Sequence, residues 1–154
     1  MTTVLRQATC VAIGGRAVLI EGAPGSGKSS LALALIDRGA VLVGDDGVAL
    51  ESRGEALWAA PPPNIRGLLE VRNVGLLTLP VTSAAVALVV NLDEGAERLP
   101  DGPRTIAILG HALPALALFP AAAVLPLRVE KALVMHGLPI ADPSLLPVDA
   151  PDRQ

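Results

Sequence analysis

Gly22-Ala23-Pro24-Gly25-Ser26-Gly27-Lys28-Ser29 fits G-x-x-x-x-G-K-[ST], a spacing of residue types that can cradle phosphate groups. Glycines let the backbone bend so that successive N–H groups point inward, and a helix beginning at Lys28 adds its positive end. The motif assigns Lys28 to the β and γ phosphates of a nucleoside triphosphate and the Ser29 hydroxyl to Mg²⁺. A chance glycine loop in front of a helix would not need an apolar strand feeding it, yet Ala17 to Ile20 form one.

A loop of this kind needs a second acidic element to complete a metal shell and, for transfer to a hydroxyl, a base in reach of that hydroxyl. Two pairs qualify. Asp45-Asp46 ends the apolar run Val41-Leu42-Val43, which follows the loop's helix, and strands joined through one helix usually lie side by side with their carboxyl ends in one crevice. Asp93-Glu94 ends the run 86 to 92 and looks like the Walker-B pattern of ordinary ATPases. Either pair also reads as a solvated turn. Glu70 and Arg72 interrupt an otherwise core-like run, either as an exposed ion pair or as site residues. His111 and His136 read as surface or helix-end histidines, because no second ligand sits at metal spacing. Cys10 reads as a small buried hydrophobe, and Arg98 as either a solvated or a phosphate-directed charge.

The elements that must position these groups follow from the pattern. Thr9 to Ile13 and Arg16 to Glu21 flank Gly14-Gly15, a hairpin from which the loop hangs. The helix from Lys28 is apolar nearly all round, hence buried, and stops at Gly39. Val48 to Glu51 and Ala56 to Ala60 form a second hairpin turning at Gly54 and ended by Pro61-Pro62-Pro63. Ala84 to Leu92 reads as a central strand, Asp93 to Pro103 as an exposed loop, and Thr105 to Leu109 as a strand. Leu113 to Phe119, broken by Pro114, is an edge strand at best; Pro126 to His136 is the last helix, with Gly137 beyond it.

At 154 residues the expectation is one α/β domain over residues 1–138, a mixed β-sheet with β-hairpins and few helices, followed by a proline-rich tail over 139–154 that is loop or disordered. Net charge is −3 and the 12 basic residues are scattered, while one Phe, one Trp and no Tyr leave no stacking platforms for bases, so a nucleic-acid partner is not expected. No apolar run reaches 18 residues, so no membrane span is expected, and a lone cysteine without a signal peptide points to the cytoplasm.

G-A-P-G-S-G-K-S at 22 to 29, L-I-D-R-G at 35 to 39, V-G-D-D-G-V at 43 to 48 and L-L-E-V-R-N-V-G-L-L at 68 to 77 together resemble the C-terminal catalytic domain of HPr kinase/phosphorylase, in its short proteobacterial form. The resemblance runs from residue 5 to about 110 and implies a P-loop kinase core similar to that of phosphoenolpyruvate carboxykinases. It implies ATP and Mg²⁺ as cofactors, a serine of the phosphocarrier protein HPr as acceptor, inorganic phosphate in the reverse reaction, and a homo-oligomer. Matched by motif, Gly22 to Ser30 hold the nucleotide with Lys28 on its phosphates; Asp45 is general base in the kinase direction and general acid in reverse; Ser29, Asp46 and Glu70 hold magnesium; and Arg72 is the adjacent active-site arginine. Gln7 stands where the family has a histidine; glutamine donates hydrogen bonds but does not titrate, so weakened phosphorylase activity or an altered pH profile is expected. Ser30 replaces an acid, and of the family's later R-P-G-R-N segment only Pro126-Leu127-Arg128 is a remnant. The competing expectations are an ATPase switch built on Asp93 and Glu94, and a nucleotide-binding sensor without turnover.

Overall fold

The computed structural model describes residues 2–64 and 66–140. Its first hairpin, β2 (Thr9–Ile13) and β3 (Arg16–Gly22), turns at Gly14-Gly15 as the sequence predicts, with Val11 opposite Val18 and Thr9 opposite Ile20. β3 runs into the glycine-rich loop and α1 (Lys28–Asp37), and β4 (Val41–Gly44) follows. A short β1 (Thr3–Arg6) precedes them and pairs antiparallel with β5 (Val48–Arg53), which forms the second hairpin with β6 (Ala56–Ala60).

β9 (Ala84–Leu92) is the central strand. It lies parallel to β3 over almost its whole length, while β6 pairs with its first residues and β11 (His111–Leu118) with its last four. β10 (Arg104–Ile108) pairs outside β11, completing a nine-stranded mixed sheet in the order β1-β5-β6-β9-β3-β2-β4 with the β11-β10 hairpin on β9. A register shift at Ala17/Val18 leaves Ala87 as an extra residue in β9. Val86 therefore faces one core and Leu88 the other. One core lies under α1 and α2 (Leu125–His136) and includes Ile20, Leu31, Leu35, Val90 and Val129; the other fills the opposite face with Leu19, Leu50, Leu57 and Val89. Both are aliphatic, as the composition requires, and each fully buried leucine contributes about 1.5–3 kcal/mol.

Two expectations are corrected. β4 does not lie beside β3: β2 pairs with both and separates them, because the hairpin supplies an antiparallel neighbour before the helix returns the chain. β11 is also more than an edge strand. Its residues 111–115 pair with β10 and its residues 115–118 with β9, and Pro114 is tolerated because it falls outside the stretch paired with β9. Residues 64 to 77, for which no element is evident in the sequence, contain a separate hairpin, β7 (Leu68–Val71) and β8 (Gly75–Thr78), whose Leu69 packs into the core under α1. The proline-rich tail lies, from residue 141 on, outside the described residues. Among the described residues no helix is long and apolar enough to cross a membrane.

The β10–β11 turn is Leu109-Gly110, both in the left-handed region at φ 50° and 81°. A leucine there carries a steric cost that asparagine largely escapes. Leu109 is 38% exposed, so only part of its apolar surface is returned to water by its removal. Leu109→Asn is therefore expected to stabilise the fold by about 0.5–1 kcal/mol, read as a higher urea midpoint with an unchanged slope.

Candidate active site

The loop between β3 and α1 is built to leave donors unpaired. Gly27, the residue before the helix, adopts φ 103°, and no side chain caps the helix N-terminus. Ser26 Oγ is buried without a hydrogen-bond partner. Free N–H groups at the positive end of a helix, with an unused hydroxyl beside them, suit an anion of the size and charge of a phosphate. Lys28 Nζ meanwhile donates to the carbonyls of Gly22 at 3.0 Å and Ala23 at 3.2 Å, which folds its charge back over the start of the loop.

The turn after β4 brings the acids to this loop. Gly44 has no room for a side chain, since a Cβ there would sit 2.1 Å from the carbonyl oxygen of Gly47, and Asp46 adopts φ 58°. That tight reversal points Asp45 back at the helix, where its Oδ1 accepts from Ser29 Oγ at 2.6 Å and from Thr9 Oγ1 at 3.1 Å. Its Oδ2 accepts the backbone N–H of Glu70 at 3.3 Å, which ties the β7–β8 hairpin to the same carboxylate. The result is a cleft of about 320 Å³ lined by Lys28, Ser29, Ser30, Asp45, Asp46, Glu70 and Arg72, with Thr9, Pro24, Gly25 and Gly27. Glu70 and Arg72 are both exposed there and make no ion pair with each other among the described residues. A hydroxyl and carboxylates gathered beside a lysine form a donor set that fits a magnesium nucleotide.

The crevice expected from the sequence thus exists, although β2 rather than direct strand contact delivers it. Ala23 and Ser26 line not this cleft but a second depression of about 480 Å³, which also holds Asp93 and Glu94. There Asp93 Oδ1 accepts the N–H of Gly95 at 2.8 Å, the geometry of a local turn. Gln7 is exposed between β1 and β2, next to Arg6, whose ion pair with Glu21 below the loop raises the guanidinium's already high pKa. Arg98 is exposed in the β9–β10 loop and does not line the cleft. His111 meets Ser52 Oγ through Nε2 at 2.7 Å, far along the chain from the loop, and among the described residues no group of three His, Cys, Asp or Glu forms a metal site. Cys10 is fully buried, and burial pushes its thiol pKa up. Thr9 is the member that the sequence reading missed. Its one signal is a hydroxyl at the start of an otherwise apolar strand.

A parallel β-strand pair, a glycine-rich loop with its lysine, and acids held against the loop's serine define a P-loop protein of the α/β class. Comparison with known proteins narrows this further. The model of the HPr Serine kinase C-terminal domain matches residues 2–118, and the chain belongs to that family. An HPr kinase/phosphorylase of Caldicellulosiruptor bescii is 34% identical over 129 residues, 75% of this chain and 42% of the relative. One from Exiguobacterium is 39% identical over 92 residues, covering 54% of this chain and 30% of the relative. The chain therefore spans less than half the length of these curated relatives. The solved Hpr(Ser) kinase/phosphatase of Coxiella burnetii superposes with a TM-score of 0.77 at 31% identity, covering 86% of this chain and 90% of that one. The fold is the P-loop kinase fold of that neighbour.

Proposed function

We propose that this chain is the catalytic domain of an ATP-dependent kinase that phosphorylates a serine of HPr or an HPr-like phosphocarrier, with a reverse reaction in which inorganic phosphate removes the phosphoryl group as pyrophosphate. The observation that carries the reading is the 2.6 Å contact of Ser29 with Asp45, which joins the phosphate loop to a carboxylate. Family membership supports the acceptor. In this reading residues 1–138 form one kinase domain that acts as a homo-oligomer in the cytoplasm and regulates the phosphotransferase system and carbohydrate use. The net charge of −3 agrees with a protein rather than a nucleic-acid partner.

The roles follow from the chemistry of the side chains. Loop N–H groups from Gly22 to Ser30 and the Lys28 ammonium would hold the phosphates, while Ser29, Asp46 and Glu70 would hold Mg²⁺. When bound, Mg²⁺ neutralises charge on the transferring phosphoryl group. Asp45 takes the proton of the incoming serine hydroxyl, and Arg72 at the cleft wall balances charge as it develops. Gln7 cannot titrate, so the reverse reaction lacks the acid–base group that a histidine would bring.

Incubation with labelled ATP, Mg²⁺ and HPr is expected to place label on a serine of HPr, with a slower phosphate-dependent reversal. Absence of transfer to any phosphocarrier serine overturns the reading. ATP consumption that needs Glu94 but not Asp45 would indicate an ATPase switch, and tight binding without turnover a sensor.

A further inference from the structure

We propose that Thr9 is a positioning residue that fixes the Asp45–Asp46 turn against Ser29, an inference that deepens the kinase reading and rests on it for its effect on turnover. Thr9 is fully buried, and it is the one polar or charged residue among those described that belongs to the buried class. A buried hydroxyl is costly unless both its donor and acceptor capacity are used, and this one uses both within a single turn. Its Oγ1 donates to Asp45 Oδ1 at 3.1 Å and accepts the backbone N–H of Asp46 at 3.3 Å.

The location explains why such a brace is needed. β2 and β4 pair Cys10 with Gly44, but the register shifts between Cys10 and Val11, and the ladder ends there. Beyond Gly44 the chain has left the sheet and reverses with Asp46 at φ 58°. The Thr9 hydroxyl takes over where the ladder stops, one residue from the last paired position. Because the same Asp45 oxygen accepts from Ser29, Thr9 helps to decide which way that carboxylate faces the loop. Thr9 is also opposite Ile20 in β3, two residues before the loop, so a single strand registers the phosphate cradle and the acids together.

Thr9 shares its strand face with Val11 and lies opposite Ile20, both apolar and fully buried, so that face would accept a valine of nearly the same shape. This allows the hydroxyl to be tested apart from the packing. Thr9→Ser keeps the hydroxyl and is expected to retain kcat for HPr phosphorylation within about threefold. Thr9→Val is expected to lower kcat about 10- to 100-fold, as loss of a hydrogen bond to a half-buried charge would, with KM for ATP changed less than about twofold. A readout independent of catalysis is amide hydrogen exchange followed by NMR. The Asp46 amide should be protected in the wild type and Thr9→Ser, and exchange at least about tenfold faster in Thr9→Val. If the wild type transfers nothing to HPr, the kinase reading fails, and the exchange measurement alone decides the placement of Thr9. Unchanged Asp46 protection in Thr9→Val overturns the proposal, as do equal damage in both variants, full kcat in Thr9→Val, or a Thr9→Val protein that no longer folds while Thr9→Ser does.

Discussion

Asp45→Asn is expected to lower phosphoryl transfer by about two to four orders of magnitude while leaving ATP affinity within a few-fold of the wild type. The carboxylate accepts three hydrogen bonds, from Ser29 Oγ, Thr9 Oγ1 and the N–H of Glu70. Asparagine can keep the oxygen that faces Ser29 and Thr9. Its amide NH₂ then faces the Glu70 N–H, two donors pointing at each other, at a site 25 residues apart in the chain and exposed enough for water to intervene. The fold is therefore expected to survive, and what is lost is an acceptor for the proton of the incoming hydroxyl. Nucleotide titration of the folded variant separates two roles. Retained affinity with lost transfer identifies a base; affinity lost only in the presence of Mg²⁺ identifies a metal ligand and removes Asp45 from the proton-transfer step.

The placement of Asp45 shows what could be read from the sequence and what could not. The loop and its hairpin were legible because each rests on local signals: Gly14-Gly15 between two apolar runs, and a glycine-rich motif ahead of a helical pattern. The crevice holding Asp45 was anticipated for a reason that does not hold, since the strands expected to adjoin are separated by β2. Pairing partners are long-range facts, and the rule for helix-linked strands presumes that no hairpin strand has already taken the edge of β3. Gly44 and Gly47 on either side of Asp45-Asp46 were the local sign of a tight reversal, and the 2.1 Å approach at Gly44 shows why a glycine is required.

Other features were hidden for physical reasons. β7 and β8 escaped notice because Glu70 and Arg72 read as interruptions of a core-like run, although with Leu69 and Val71 they alternate as on a half-buried strand, and these are the residues the hairpin presents to the cleft. β1 escaped because Thr3, Val4 and Leu5 are all exposed, so an edge strand of this kind carries no burial pattern. Thr9 escaped because a single hydroxyl gains meaning only when its two partners, 36 and 37 residues away, are in place.

The second large effect is expected at Lys28. Its Nζ now bonds the carbonyls of Gly22 and Ala23, which any cation of the right reach could do, so those contacts say little about fold stability. The structure instead depends on Gly27 and the apolar face of α1, where Leu31, Ala32 and Leu35 are buried. Lys28→Met keeps the length of the stem and removes the charge, and the variant should fold with a melting temperature close to that of the wild type. Without the ammonium, the developing negative charge on the transferring group loses one of its fixed counter-charges, a loss of about two to three orders of magnitude in turnover. Unlike Asp45→Asn, this change also weakens the ground state, because phosphates carry their charge before and during transfer. ATP affinity should fall about tenfold or more. Lys28→Arg is not expected to rescue either quantity, since a planar guanidinium does not reproduce a compact point charge within a loop shaped around lysine. Measurement of both variants by nucleotide titration and by transfer to HPr gives opposite patterns, turnover alone for Asp45 and turnover with affinity for Lys28. A Lys28→Met protein that keeps transfer within tenfold of the wild type would mean that the loop binds phosphate through its backbone alone, and that the cation completing the site comes from Arg72 across the cleft.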